Sequence, residues 1–198
     1  MQQTLLIPND FPPRVGGIQS YVHELATRLP ADRLTVLASD YPGAAEFDAG
    51  QPFSVVRHPT RVLLPTPAVT RHAAELVREH GATAVWFGAA APLGLMAPAL
   101  RQHGVTRVVA STHGHEVGWS MIPGMRQMLR RIGTSADVVT FVSRYSRRRI
   151  AAALGPLAAL EAVSPGVDAG RFQPDPAARA RIREQHRLGD CPAVVCVS

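Results

Sequence analysis

Short apolar runs alternate along the chain with longer segments in which apolar residues recur at helical spacing. Most of the short runs are rich in Val, Ile and Leu and lack polar alternation, which is typical of parallel strands that helices cover on both faces. The predicted strands are Thr4–Pro8, Leu34–Ala38, Ser54–Arg57, Ala84–Phe87, Arg107–Ser111, Val138–Val142 and Leu160–Ser164. The helices predicted among them are Ile18–Leu29, Pro67–His80, Pro92–His103, Met125–Ile132 and Ser146–Leu154. This alternation predicts a Rossmann-like, doubly wound α/β domain with a parallel sheet, whose ligands bind at the carboxyl ends of the strands.

The pattern changes near the end of the chain. A turn at Pro165–Asp168 leads into a polar linker, and Asp175 is a suitable N-cap for a helix over Ala177–Arg187. Ala193–Ser198 again has the composition of a buried strand. We therefore predict a Rossmann-like domain over residues 1–170, followed over residues 171–198 by a linker and the first strand of a second domain that is otherwise missing.

One uncharged segment, Ala82–Leu100, has enough residues to cross a bilayer. Glycines and prolines interrupt it, and we interpret it as a buried strand, a loop and a buried helix. The first residues of the chain lack the basic region and apolar core of a signal peptide. Cys191 and Cys196 have no partner histidines at metal-ligand spacing, so we expect reduced structural thiols and a cytoplasmic protein.

All 21 basic residues are arginines and the formal net charge is +6, which favours an acidic partner such as a nucleotide, an anionic lipid surface or a nucleic acid. Nucleic acid is the weakest of these, because aromatic residues make up only 6% of the chain and none interleaves with the arginine clusters. The lack of lysine excludes a P-loop, and no G-x-G-x-x-G fingerprint occurs in the first loop. No Asp-x-Asp pair is present to hold a divalent cation, and we predict neither a metal nor a cofactor.

The loop after the first predicted strand ends in Gly16 and Gly17, just before a helix begins. Since glycines have no Cβ atoms, their amides can approach an anion closely, and the helix dipole favours negative charge at the same place. A glycine pair at this position can equally serve only to form a tight turn. From the residues alone, both interpretations stay open.

A second candidate site follows the predicted strand that ends at Ser111. His113 or His115 could hydrogen-bond a ligand hydroxyl there, and Glu116 could orient an imidazole. Two glycines in the segment let the backbone bend close to a ligand, which favours this interpretation over a loop histidine bonded only to a backbone carbonyl. A zinc site is less attractive, because no further Cys or His pair supplies the remaining ligands.

Arg126, Arg130 and Arg131 fall on or near one face of a predicted helix that also carries an apolar stripe. An amphipathic basic helix of this kind can contact anionic lipid headgroups, but a solvated arginine face over an ordinary core stripe fits the same pattern. A second arginine cluster, over residues 144–149, is better explained as a solvated helix face.

Four segments together resemble the N-terminal domain of the retaining glycosyltransferases of family 4, which have the GT-B fold. These segments are Asn9–Tyr21, Val85–Pro92, Ser111–Trp119 and Pro165–Asp168. The Gly-Gly loop and the Gly-Val-Asp turn are similar to the broad family. The other two segments resemble the narrower group of actinobacterial GDP-mannose-dependent phosphatidylinositol mannoside α-1,6-mannosyltransferases.

The resemblance implies metal-independent transfer of mannose from GDP-mannose to a phosphatidylinositol mannoside, with retention, by a peripheral protein at the inner face of the plasma membrane. It implies that Gly16, Gly17 and Arg14 lie at the donor phosphates. It also implies that Gln19 and Asn9 lie near the glycolipid acceptor. The oligomeric state does not follow from the resemblance or from the residues.

The resemblance further implies that His113 contacts the transferred sugar, with His115 and Glu116 as supporting catalytic residues. Family members carry a second Rossmann-like domain that binds most of the nucleotide, and this chain resembles only the first strand of it. We therefore expect the 198-residue chain to be a fragment that is inactive, or nearly so, by itself. Two alternatives remain, a nicotinamide-dependent oxidoreductase and a non-catalytic module that binds anionic membranes.

Overall fold

A computed structural model describes residues 2–196, and the chain divides into two compact units, Met1–Pro165 and Gly166–Ser198. The first unit contains a parallel sheet of seven strands with helices between them, which confirms the predicted α/β fold class. This unit ends at Pro165, whereas the predicted domain extends to residue 170.

Most elements form where the local pattern predicts them. The strands are β1 (Thr4–Ile7), β2 (Leu34–Ser39), β3 (Ser54–His58), β4 (Ala84–Phe87), β5 (Arg107–Thr112), β6 (Val138–Phe141) and β7 (Ala159–Ala162). The helices are α1 (Gly17–Ala26), α2 (Ala44–Ala49), α3 (Pro67–Glu79), α4 (Ala97–Arg101), α5 (Glu116–Met121), α6 (Pro123–Ser135), α7 (Arg144–Leu154) and α8 (Pro176–Gln185), with short 3-10 helices at Ala31–Arg33 and Leu93–Met96. Among the described residues, no helix is both long enough and apolar enough to cross a membrane.

The sheet order is β3-β2-β1-β4-β5-β6-β7, and every neighbouring pair is parallel. The chain runs outward from β1 to β3 and then crosses back to β4, so the direction of winding reverses between β1 and β4. In open sheets of this kind, ligands bind in the crevice at the carboxyl ends of the strands, beside such a switch point. The loops that follow β1, β4 and β5 therefore border the expected binding crevice.

The two halves of the sheet differ in how far helices cover them. β2 is buried at all six positions, because α1 packs on one face through Val22 and Ala26 and α3 packs on the other. β4 and β6 instead alternate between buried and half-buried positions. Trp86 and Thr140 line a groove of about 460 Å³ on this less covered face. The prediction that helices cover the strands on both faces is therefore wrong for this half of the sheet.

Several helices differ from the pattern in length or position. α2 and α5 were not predicted, because six residues are too few to show a helical period. The segment predicted as a helix over Pro92–His103 forms a short 3-10 helix followed by α4. α6 is longer than predicted and begins at Pro123, a residue whose fixed φ suits the first turn of a helix.

In the second unit, Asp175 caps α8 as predicted, since its carboxylate accepts from the amides of Ala177 and Ala178. The prediction of a buried strand over Ala193–Ser198 is wrong at the described positions 193–196, which are exposed and irregular. A strand needs a partner for its backbone groups, and the described part of this unit, residues 166–196, contains none. Positions 197 and 198 lie outside the described residues. Cys191 and Cys196 are free thiols and exposed.

Candidate active site

The β1–α1 loop brings the start of α1 to the switch point of the sheet. α1 begins at Gly17, and no side chain caps its first turn. The first amides of a helix have no acceptor within the helix. Among residues 2–196, no other group accepts from the amides of Gly17, Ile18 or Gln19. Because the helix dipole adds positive potential here, this end of α1 can receive an anion.

The surroundings of Gly17 do not explain why a glycine stands at this position. The direction of its missing Cβ is open space, and its φ lies outside the left-handed region. Neither backbone strain nor packing within the described chain therefore requires a glycine at this position. At Gly16, by contrast, the flexible end of the Gln19 side chain occupies the space that a Cβ would fill. Gln19 thus folds back over the start of its own helix, beside the open amides.

Asn9 and Arg14 lie in the same loop but have different surroundings. Asn9 Oδ1 is buried and has no hydrogen-bond partner among the described residues. A buried oxygen of this kind costs free energy unless a ligand or a water molecule donates to it. Arg14 Nη1 donates to Asp10 Oδ1 over 2.6 Å, and the Arg14 side chain is 41% exposed. Asp10 therefore neutralises part of the charge that Arg14 could offer to a phosphate.

Glu116 organises the β5–α5 loop through the backbone of that loop. Its carboxylate is fully buried, and Oε2 accepts from the amides of His113 and Gly114 at 3.1 and 3.0 Å. Gly114 has a φ of +108°, in the region that favours glycine. Glu116 thus holds the backbone segment that carries His113, while its other oxygen, Oε1, lies 3.3 Å from Nε2 of the His115 imidazole. That Glu116 orients an imidazole stays a prediction.

His113 reaches across to the loop after β4. Its Nε2 lies 2.6 Å from the carbonyl oxygen of Gly88, and because a carbonyl can only accept, Nε2 carries the proton. Burial lowers the pKa of His113, and the Gly88 hydrogen bond and the Glu116 charge oppose this shift without cancelling it. The ring is therefore neutral near pH 7, which leaves a lone pair on Nδ1. No described residue donates to Nδ1, so this atom can accept from a ligand hydroxyl.

Of the two interpretations of His113 from the sequence, the structure shows the bond to a backbone carbonyl, and contact with a ligand stays a prediction. The imidazole is bonded to a backbone carbonyl, and that bond selects the tautomer that makes Nδ1 an acceptor. His115 differs, since its side chain is 42% exposed. Its Nε2 lies 3.3 Å from Glu116 Oε1 but without hydrogen-bond geometry. Among the described residues, no group of three or more His, Cys, Asp or Glu side chains could hold a metal ion.

Tyr21 of α1 contacts the residue that the β5–α5 loop presents, His113. Its ring packs edge-on against the ring of His113, with centroids 5.4 Å apart. Its hydroxyl donates to the carbonyl oxygen of Val163 at 2.7 Å, and burial raises the pKa of Tyr21. An aromatic residue one turn into an amphipathic helix looks like an ordinary core position. No local signal therefore distinguished it.

The three arginines predicted to contact a membrane do not share one environment. Arg126 Nη1 donates to the Ser120 carbonyl at 3.3 Å, and Arg130 Nη2 donates to the Ala152 carbonyl at 3.2 Å. Arg131 is exposed, and its side chain bonds to none of the described residues. Arg130 is therefore committed to the end of α7, whereas Arg131 is the most available of the three.

Comparison with known proteins adds independent information. The family described as Glycosyltransferase Family 4 matches residues 15–171. The GDP-mannose-dependent alpha-(1-6)-phosphatidylinositol monomannoside mannosyltransferase of Mycolicibacterium smegmatis is 58% identical over 98% of this chain and 52% of its own length. The protein of the same name from Mycobacterium tuberculosis is 56% identical over 100% of this chain and 53% of its own length. The chain thus spans about half the length of these curated relatives.

Among solved structures, Anabaena HepE in complex with UDP and glucose has a TM-score of 0.69 to this chain at 14% identity. The match covers 96% of this chain and 50% of the HepE chain. At that identity the likeness shows the fold alone, and membership of a family is shown by the family match. Since that match covers residues 15–171, the chain belongs to glycosyltransferase family 4.

Proposed function

We propose that this chain forms the acceptor-side domain of a retaining glycosyltransferase that transfers mannose from GDP-mannose to a phosphatidylinositol mannoside. The names of the curated relatives state a GDP-mannose-dependent transfer to phosphatidylinositol monomannoside. In this chain, the proposal rests on two features of one crevice. The first amides of α1 have no hydrogen-bond acceptor among the described residues, and a neutral His113 lies at the same crevice. A sugar attached to a diphosphate needs both an anion site and a partner for its hydroxyl groups.

The diphosphate is the leaving group of this reaction. When the bond between the mannose C1 and the phosphate oxygen breaks, negative charge develops on that oxygen. The amides at Gly17 and Ile18 are already oriented by the helix, so they can stabilise this charge without reorganising. A preorganised donor of this kind lowers the activation barrier by about 3 kcal/mol. Arg14, partly paired with Asp10, adds a weaker positive charge.

His113 is suited to hold the transferred sugar in place. Its Nδ1 can accept from a sugar hydroxyl while its Nε2 stays bonded to Gly88. Glu116 contributes by fixing the backbone of His113, and we assign it a positioning role. His115, more exposed, is left with a supporting role at the rim.

The acceptor side of the crevice is assigned to Asn9 and Gln19. Asn9 Oδ1 is buried and unpaired among the described residues, so a hydroxyl of an inositol-containing acceptor would satisfy it. Gln19 lies over Gly16, at the same end of α1. With retention, the acceptor oxygen must reach C1 from the face that the diphosphate leaves, which requires acceptor and diphosphate groups near each other.

A lipid acceptor also requires a membrane-facing surface, which we place at the α5–α6 junction. Met121, Ile122 and Met128 are 75%, 51% and 40% exposed there. Arg126 and Arg131 on α6 add cationic groups to this apolar patch. Exposed apolar side chains together with arginines are typical of peripheral binding to anionic lipid. We propose peripheral association at the inner face of the plasma membrane, tested by flotation with phosphatidylinositol liposomes at low and high salt.

The transfer reaction is tested with this chain joined to the second half of the M. smegmatis relative, of which the chain covers 52%. Mannose transfer from GDP-mannose to phosphatidylinositol monomannoside is measured for wild type, His113→Ala and His103→Ala. His103 is the control, because it is exposed in the turn after α4. We expect His113→Ala to lower kcat roughly a hundredfold and His103→Ala to leave it unchanged.

Other outcomes of this experiment separate the remaining possibilities. Transfer from a different sugar nucleotide but not from GDP-mannose would rule out GDP-mannose as the donor and leave the fold assignment unchanged. No transfer from any donor, with liposome binding intact, would favour a membrane-binding module. The 198-residue chain without a second half is expected to transfer little or no mannose.

A further inference from the structure

Arg57, near the end of β3, is a nearly buried cation that the proposed reaction does not use. Its side chain is 12% exposed, and that of Asp48 on α2 is 16% exposed. Asp48 Oδ1 and Oδ2 accept from Arg57 Nη2 and Nε at 2.6 and 2.9 Å, which makes the pair bidentate. A buried ion pair gains little net stability, because desolvation offsets the attraction. Stability alone therefore does not account for a guanidinium at this position.

The other N–H groups of Arg57 extend across the sheet toward β1. Nη1 donates to the carbonyl of Ser39, at the end of β2, over 2.9 Å. Nη2 uses its second proton for the carbonyl of Pro12, in the β1–α1 loop, over 2.7 Å. The guanidinium carbon also lies 5.9 Å from the ring centroid of Phe11, which is 1% exposed. Since β3, β2 and β1 are neighbours, one side chain ties α2 and β2 to the β1–α1 loop.

We propose that Arg57 is a positioning residue for the donor diphosphate, acting through its bond to Pro12. By fixing Pro12, it sets the path of the loop that leads to Gly16 and Gly17, and so the place of the open α1 amides. The proposal rests on the function proposed above. Lysine cannot replace Arg57, because one ammonium group cannot bind Asp48 in a bidentate manner and also reach two carbonyls.

Arg101 offers a control in the other half of the sheet. Like Arg57, it pairs with an aspartate, since its Nη2 donates to Asp137 Oδ2 at 2.8 Å. It also donates to a backbone carbonyl, that of Ser135, at 3.1 Å. Asp137 lies just before β6, at the amino end of the strand and away from the crevice. Arg101→Lys therefore disturbs a similar but more exposed arginine–aspartate pair, whose side chains are 32% and 31% exposed and which has no link to the β1–α1 loop.

The first experiment measures kinetics in the two-domain chimera for wild type, Arg57→Lys and Arg101→Lys. We expect Arg57→Lys to lower kcat/KM for GDP-mannose roughly tenfold to a hundredfold, mainly by raising KM for the donor. The KM for the lipid acceptor should change no more than in Arg101→Lys. A donor KM equal to that of wild type, or an equal rise in both variants, would overturn the proposal.

The second experiment measures hydrogen exchange in the 198-residue chain by itself. In Arg57→Lys, amides of the β1–α1 loop should exchange faster, whereas amides of the β5–α5 loop should keep their wild-type rates. Asp48→Asn should act in the same direction with a smaller effect, since it keeps the shape of the pair. Unchanged exchange in the β1–α1 loop overturns the proposal. A wild-type chimera that transfers no mannose overturns the proposed function instead, and the exchange rates still decide whether Arg57 holds the loop.

Discussion

The β1–α1 and β5–α5 loops border the same crevice, but groups of opposite charge hold them. Arg57 holds the first loop from outside by donating to the carbonyl of Pro12, at a sequence separation of 45 residues. Glu116 holds the second loop from within by accepting from two amides that lie two and three residues before it. The first loop therefore depends on contacts across three strands, whereas the second is almost self-contained.

This difference determines what each loop can offer to a ligand. Arg57 binds a carbonyl of the β1–α1 loop, so the amides at the start of α1 stay available for an anion. Glu116 binds amides of the β5–α5 loop, so that loop presents the side chain of His113 instead. One loop is thus suited to an anion and the other to a hydroxyl, which are the groups of the proposed nucleotide-sugar donor.

The largest effect on stability should come from replacing Glu116, which holds the β5–α5 loop. Glu116→Ala leaves the amides of His113 and Gly114 without their acceptor in a buried site. We expect the free energy of unfolding in urea to fall by about 2–4 kcal/mol. Glu79→Ala, at an exposed position of α3, is the control and should change it by less than about 0.5 kcal/mol. If both variants lose the same small amount, Glu116 does not hold this loop.

A pair of glycine substitutions tests the two loops separately. Gly114→Ala forces a side chain into the left-handed region and should lower the free energy of unfolding by about 1–2 kcal/mol. Gly17→Ala meets open space at an ordinary φ, so stability should hold or rise by up to about 1 kcal/mol. The chimera carrying Gly17→Ala should nevertheless show a clearly raised KM for GDP-mannose. A loss of stability in Gly17→Ala without a change in KM would return Gly17 to the role of a turn residue.

The smallest effect concerns pH and comes from His113. Its pKa in the folded state lies below the ordinary value of 6.5, so the unfolded chain takes up a proton first as pH falls. The stability that depends on neutral His113 is therefore fully present above pH 6.5 and declines below it, by less than about 1.4 kcal/mol per pH unit. Urea unfolding of wild type and His113→Gln between pH 5 and 8 measures this. Burial also lowers the pKa of His58, so the difference between the two proteins is the informative quantity.

Local patterns in the sequence were sufficient for much of the fold and part of the site. β4 lies where its apolar run predicted it, and α3 begins at Pro67 as predicted, with Thr66 as its cap. The pattern also indicated Gly17 and His113 as candidate site residues, because both follow buried strands. These features depend on a residue and its near neighbours, which is the range over which hydrophobic periodicity and capping residues carry information.

By itself, the sequence determined the α/β class, the positions of most strands and helices along the chain, and which loops follow the carboxyl ends of the strands. Only the tertiary structure decided that Arg57 reaches Pro12, that Glu116 binds backbone amides, and that one half of the sheet is less covered. A pattern reports whether a residue tends to be buried, whereas hydrogen-bond partners and coverage depend on which distant segments lie side by side. That proximity is a property of the folded chain.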